Sequence, residues 1–92
     1  MNPPQAWRVA FDARAARELR KLDRAAQQLI LRYLRVRIAT ADDPRRFGRA
    51  LTGDLKGLWR YRVGDYRIVA KIEDDRLIVL FVTVGHRREV YD

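Results

Sequence analysis

The sequence predicts an α+β fold, a small antiparallel β-sheet with an N-terminal strand and a helical hairpin packed on one face, in the order β-α-α-β-β-β. Three observations predict it. A short alternating stretch opens the chain, a long run with helical period follows, and three strand-like segments joined by turns close it.

The opening stretch "AWRVAF" puts Trp7, Val9 and Phe11 on one side with Arg8 between, which is the period of a half-buried strand. From Asp12 to about Thr40 the period changes. Ala15, Leu19, Leu22, Ala26, Leu29, Ile30, Tyr33 and Leu34 recur at steps of three and four, with arginine, lysine and glutamine on the other face. A single helix of that length would reach about 40 Å, too long for so small a domain. Asp23 in "KLDRAAQQ" is a fitting N-cap, so the sequence predicts a hairpin of two helices breaking between Leu22 and Arg24.

"TADDPRRFGRALTGDLKG" reads as a connecting segment, punctuated by Pro44, Gly48, Gly53 and Gly57 and pinned to the body by Phe47, Leu51 and Leu55. Three strands follow: "LWRYRV", "YRIVAKI" and the uncharged "LIVLFVTV". Gly64-Asp65 is a two-residue hairpin turn between the first two, and "EDDR" joins the second to the third.

A two-residue turn fixes register. Val63 must oppose Tyr66, Arg62 oppose Arg67, Tyr61 oppose Ile68 and Arg60 oppose Val69. Trp59, Tyr61, Val63, Tyr66, Ile68 and Ala70 then share the core face, and Arg60, Arg62 and Arg67 converge on the other. Directly opposed like charges destabilise a sheet, so a fold that keeps them is expected to hold an anion there. If Ile72 pairs with Leu77, the last strand ends beside the Gly64-Asp65 tip. His86, Arg87, Arg88 and Tyr91 then follow within reach of Arg62 and Arg67, as a further wall of a basic cleft.

The bulk numbers agree. Lys plus Arg total 20 against 12 Asp plus Glu, a net charge of +8, which favours polyanions: nucleic acid first, then an acidic protein, then anionic lipid. The length suits one domain over residues 1–92. There are no cysteines, hence no disulfide or thiolate metal site. The longest apolar run, from Leu77, is far too short to span a bilayer, the start lacks a secretory core, and the cytosol is the default reading. The carboxylates are scattered, so neither a metal nor a cofactor is expected.

Each candidate has a plainer reading. Arg60 and Arg62 could face solvent on an ordinary strand. Arg88 could pair with Glu89. His86 is the sole histidine, which rules out a two-histidine ribonuclease within one chain and suits strand capping or phosphate contact better than the role of principal base. Tyr91 could pack at the terminus, stack on a base or orient a hydroxyl. Lys56 is an auxiliary phosphate contact.

"LTGDLKGLWRYRVGDYRIVAKI", followed after a turn by "LIVLFVTVGHRREVYD", resembles the RelE/ParE superfamily of type II toxins, and the RelE branch in particular. The resemblance covers nearly the whole chain and is most specific in "GDYRIV" and "VGHRREVY". It implies a small antiparallel sheet with a helical hairpin. It also implies an endoribonuclease that needs no metal, cuts messenger RNA in the ribosomal A site and leaves a 2′,3′-cyclic phosphate. By position, the family's catalytic residues fall on Arg60, Arg62, Arg67, Arg87 and Tyr91; His86, Arg88 and Lys56 are read as phosphate contacts from their places in the chain alone, with antitoxin binding as a further reading of Arg88. The implied partners are the ribosome with its mRNA and an acidic, DNA-binding antitoxin of RelB type, and no membrane. Two departures stand out. The pair at Arg60 and Arg62 is often lysine in the family, and arginine exchanges protons poorly near neutral pH, which leaves the general base open. The sequence also stops at Asp92 without the C-terminal helix of some relatives, which would leave apolar sheet for a partner to cover. The alternatives are a ParE-type toxin that blocks DNA gyrase, and a non-catalytic RNA-binding module using the same basic face.

Overall fold

In a computed structural model, which describes residues 5–86, two helices lie against one face of a five-stranded sheet. Arg87, Arg88 and Tyr91 fall outside the described residues. Strand β1 is Arg8–Phe11, and helix α1, Ala13–Lys21, follows at once because the Asp12 carboxylate accepts the Ala15 amide at 2.8 Å and caps it. Asp23 repeats the device on Ala26, also at 2.8 Å, and starts α2, Arg24–Tyr33. The hairpin therefore breaks where the sequence predicted. Helix α2 runs on into a π-helical turn, Leu34–Ile38, which keeps Ile30, Leu34 and Ile38 buried on one side while Val36 points outward.

The connecting segment is less idle than expected. It holds a 3₁₀ turn at Pro44–Phe47, a two-residue strand β2 at Arg49–Ala50 and a second 3₁₀ turn at Gly53–Leu55. Strands β3 (Leu58–Val63), β4 (Tyr66–Glu73) and β5 (Ile78–His86) complete the sheet, in the order β1-β5-β4-β3-β2. All pairings are antiparallel except β1 on β5, which is parallel, with Phe11 beside Phe81. Both helices and strands β2 to β4 lie between β1 and β5 in the chain, a connection long enough for the two to run in the same direction.

The β3–β4 register is the predicted one, from Val63 opposite Tyr66 to Arg60 opposite Val69. The β4–β5 register is not. Glu73 pairs with Ile78 and Ile72 with Val79, so the turn spans Asp74 to Leu77 and Leu77 takes a positive φ of 52°. A bulge at Val69/Ala70 then opposes Val69 to Thr83 and Ala70 to Phe81, leaving Val82 as the extra residue. The bulge restores the alternation that the core needs. Phe81 and Val84 both sit in the core although they are three residues apart. Beyond the end of β1, the Val84 amide donates instead to Glu18 of α1 at 2.9 Å.

The core lies between helices and sheet. Ile30, Ile38, Tyr61, Ile68, Val79 and Phe81 are fully buried there, with Trp7, Val63 and Val84 at its margin. Phe11 and Tyr61 flank Phe81, the latter edge-on at 6.0 Å. Among the described residues no helix is long and apolar enough to cross a membrane.

Candidate functional site

The sheet face away from the helices is built from the even positions of β3, the odd positions of β4 and Arg49 of β2. Pairing sets Arg49 beside Arg60, and Arg62 beside Arg67. Gly85 lies on the far side of Arg67, where it offers no side chain to crowd the guanidinium. The four arginines and Phe47 line one cavity of about 330 Å³. Arg49 and Arg62 are exposed, Arg60 and Arg67 half-buried, and Val69, opposite Arg60, is only 2% exposed. No carboxylate is among the described lining residues, so the cavity concentrates positive charge. A phosphodiester fits this chemistry, because guanidinium forks bind its oxygens at fixed geometry.

The irregular segment before β3 is held by specific contacts. The Tyr61 hydroxyl, pointing out of the core, donates to the Pro44 carbonyl at 2.9 Å. Burial pushes that hydroxyl well above the ordinary tyrosine range. Arg45 forks onto Asp74 of the β4–β5 turn at 2.6 and 3.1 Å and lies over the Trp59 ring. Its hydrogen bonds hold the exposed Asp74 carboxyl below its usual range. Gly48 passes so close to Tyr61 that an added Cβ would stand 3.0 Å from the ring. These contacts fix Phe47 and Arg49 at the edge of the cleft.

Of the residues proposed from sequence, the structure brings Arg60, Arg62 and Arg67 together. Lys56 does not join them. It follows the second 3₁₀ turn, exposed, at the end of β3 remote from Gly64-Asp65. His86 departs from the expected wall as well. It opposes Tyr66, and its ring meets the Tyr66 ring edge-on at 5.8 Å, on the side of the sheet opposite the arginines. The physical reason is a turn displaced by one residue along the chain together with the Val82 bulge, which slide and invert the end of β5. Arg87, Arg88 and Tyr91 lie outside the described residues. Arg49 and Phe47 were missed. A two-residue strand carries too little alternation to be read, and no tight turn ties its register to β3.

A second, more apolar cavity of about 450 Å³ adjoins the first at Arg62, between α2 and the tip of β3. Leu29 and Val36 in its wall are 47% and 55% exposed.

Comparison with known proteins identifies the family and the fold. Residues 9–91 match the family described as the ParE toxin of type II toxin-antitoxin systems, parDE. Toxin RelE of Mycobacterium tuberculosis is 32% identical over 91 residues, covering 99% of this chain and 92% of that protein. Toxin RelG of the same organism is 28% identical over 85 residues, covering 92% and 95%. In the crystal structure of the M. tuberculosis RelBE2 toxin–antitoxin complex, one chain superposes with a TM-score of 0.83 at 26% identity, covering 95% of this chain and 98% of that one. The chain belongs to the ParE toxin family of type II toxin–antitoxin systems, within the RelE/ParE superfamily.

Proposed function

We propose that this toxin is a ribosome-dependent endoribonuclease that cuts messenger RNA in the A site, through attack of a 2′-hydroxyl on the adjacent phosphate. The observation that carries the reading is the cavity in which Arg62 and Arg67 face each other beside Arg49 and Arg60. In-line attack needs the hydroxyl aligned with the phosphorus and charge stabilised on the non-bridging oxygens. The half-buried Arg60 and Arg67 suit the second task, and Arg49 and Arg62 at the rim suit holding the strand.

Guanidinium groups in general are poor at exchanging protons near neutral pH. Proton movement therefore falls to groups outside the arginine set. Arg87 and Tyr91, by the family resemblance, complete the site from the C-terminal residues. His86, turned toward Tyr66, is not placed to be the base. With so weak an acid–base set, alignment of the RNA by the ribosome supplies much of the rate. The reaction places the toxin in the cytoplasm.

We also infer an acidic antitoxin of RelB type as its partner. The support is the net charge of +8, the exposed Leu29 and Val36 beside Arg32, Arg37 and Arg62, and the similarity to a toxin solved with its antitoxin.

A second reading has one observation in its favour: the matching family is described by ParE. A gyrase-blocking toxin would use the basic face as a docking surface. The test runs three reactions side by side. Ribosomes translating a defined message should yield breaks at the A-site codon, naked message should be cut poorly or not at all, and gyrase supercoiling should proceed. Blocked gyrase with intact RNA would overturn the ribonuclease reading in favour of the second.

A further inference from the structure

Phe47 stands in the cleft without a part in the chemistry just described. It is the uncharged member of the lining, among Arg49, Arg60, Arg62 and Arg67. The sequence suggests an anchor for the connecting segment, yet the ring is 38% exposed, whereas Tyr61 and Phe81 are wholly buried. The segment is anchored by other means, through the Tyr61 hydroxyl on Pro44 and the Arg45 fork on Asp74. The ring itself is oriented by cations. The Arg46 guanidinium lies 4.5 Å from its centre and is tied to Asp42 at 3.0 Å, and Arg37 lies at 5.3 Å. It is thus a fixed aromatic surface left open at the edge of an anion site.

We propose that Phe47 is the stacking platform for the nucleobase adjoining the phosphate that the arginines hold, and that it favours a purine there. The proposal rests on the reading of the cleft as an RNA site. Single-stranded nucleic acid is held by cationic grooves interleaved with aromatic rings, the cations taking phosphates and the rings taking bases. A purine covers more of the ring than a pyrimidine. The exposed Arg37 contact is the weaker of the two cation–π pairs and gives way to the base. Arg37 also lines the adjoining cavity with Arg32 and Arg62, so its charge remains beside the strand.

The test separates base from phosphate. Short RNAs carrying 2-aminopurine, a pyrimidine or an abasic site at one position are titrated against the wild type, Phe47→Ala, Phe47→Trp and Arg62→Ala at fixed low salt. The wild type should bind the 2-aminopurine RNA roughly ten- to a hundredfold tighter than the abasic RNA, and quench its fluorescence. Phe47→Ala should lose that preference and the quenching while binding abasic RNA as before, and Phe47→Trp should keep both. Arg62→Ala should weaken all the RNAs alike. The ring is half-open, so melting temperatures of the Phe47 variants should stay near that of the wild type. A base preference that survives in Phe47→Ala overturns the platform. Preserved base preference with lost antitoxin affinity also overturns it, and assigns the ring to a protein interface. Wild-type protein that binds no RNA overturns the phosphate cleft itself, an outcome read without any Phe47 variant.

Discussion

Replacing Tyr61 by phenylalanine removes a single oxygen from a fully buried ring. The lost bond is the one to the Pro44 carbonyl, at 2.9 Å, which holds the turn carrying Phe47. Loss of a neutral hydrogen bond whose buried partner is left unpaired costs about 1–2 kcal/mol. In a domain of this size that corresponds to a fall of about 5–15 °C in melting temperature near neutral pH. The pH dependence gives an independent check. Burial raises the folded-state pKa of Tyr61 above its ordinary value of 10. The folded protein therefore keeps a proton that the unfolded chain releases, and stability is lost as pH rises above about 10, by about 1.4 kcal/mol per unit. Burial also raises Tyr33, but that contribution is common to both proteins and cancels in the difference. Phenylalanine has no proton to lose. The gap between wild type and variant should thus narrow with alkali and close near pH 11. Calorimetry or circular-dichroism melts from pH 7 to 11 measure it. Equal stability at pH 7, or a gap that does not change with pH, would refute the role assigned to the hydroxyl.

Arg62→Ala and Arg67→Ala should each lower RNA cleavage about a hundredfold or more, and Arg62→Ala, at an exposed position, should leave urea unfolding within about 0.5 kcal/mol of wild type. Gly64→Ala should destabilise by about 1–2 kcal/mol, because φ is +59° and the new Cβ would meet Leu29 at 3.2 Å; unchanged unfolding would contradict the turn geometry. The Asp74 carboxyl should titrate below the usual aspartate range in the wild type and return to it in Arg45→Ala, followed by NMR.

The hairpin of β3 and β4 was legible in the sequence because two residues, Gly64 and Asp65, leave the chain one way to pair. That turn alone placed Arg62 against Arg67 and Arg60 against Val69. The helix break was legible for a similar reason, since Asp23 has an amide to cap three residues on. The end of β5 was not legible. Leu77 extends the apolar run "LIVLFVTV", but its positive φ puts it in the turn, and nothing in an unbroken apolar stretch marks Val82 as a bulge. Two shifts therefore accumulated, and His86 moved from the arginine face to Tyr66. The parallel pairing of β1 with β5 joins strands separated by both helices and three other strands, which local pattern does not encode. Phe47 and Arg49 were hidden for another reason. They come from an irregular segment whose path is set by distant partners, Tyr61 and Asp74.

Cleavage as proposed needs a 2′-hydroxyl on RNA held by the ribosome, and removing that hydroxyl probes the reaction itself. Two messages are compared on programmed ribosomes, identical except for one 2′-deoxy nucleotide at the mapped break in the A-site codon. The all-ribose message should be cut, leave a 2′,3′-cyclic phosphate and escape cutting by Arg67→Ala, while the 2′-deoxy message stays whole. Cutting of the 2′-deoxy message at the same bond would contradict the proposed reaction.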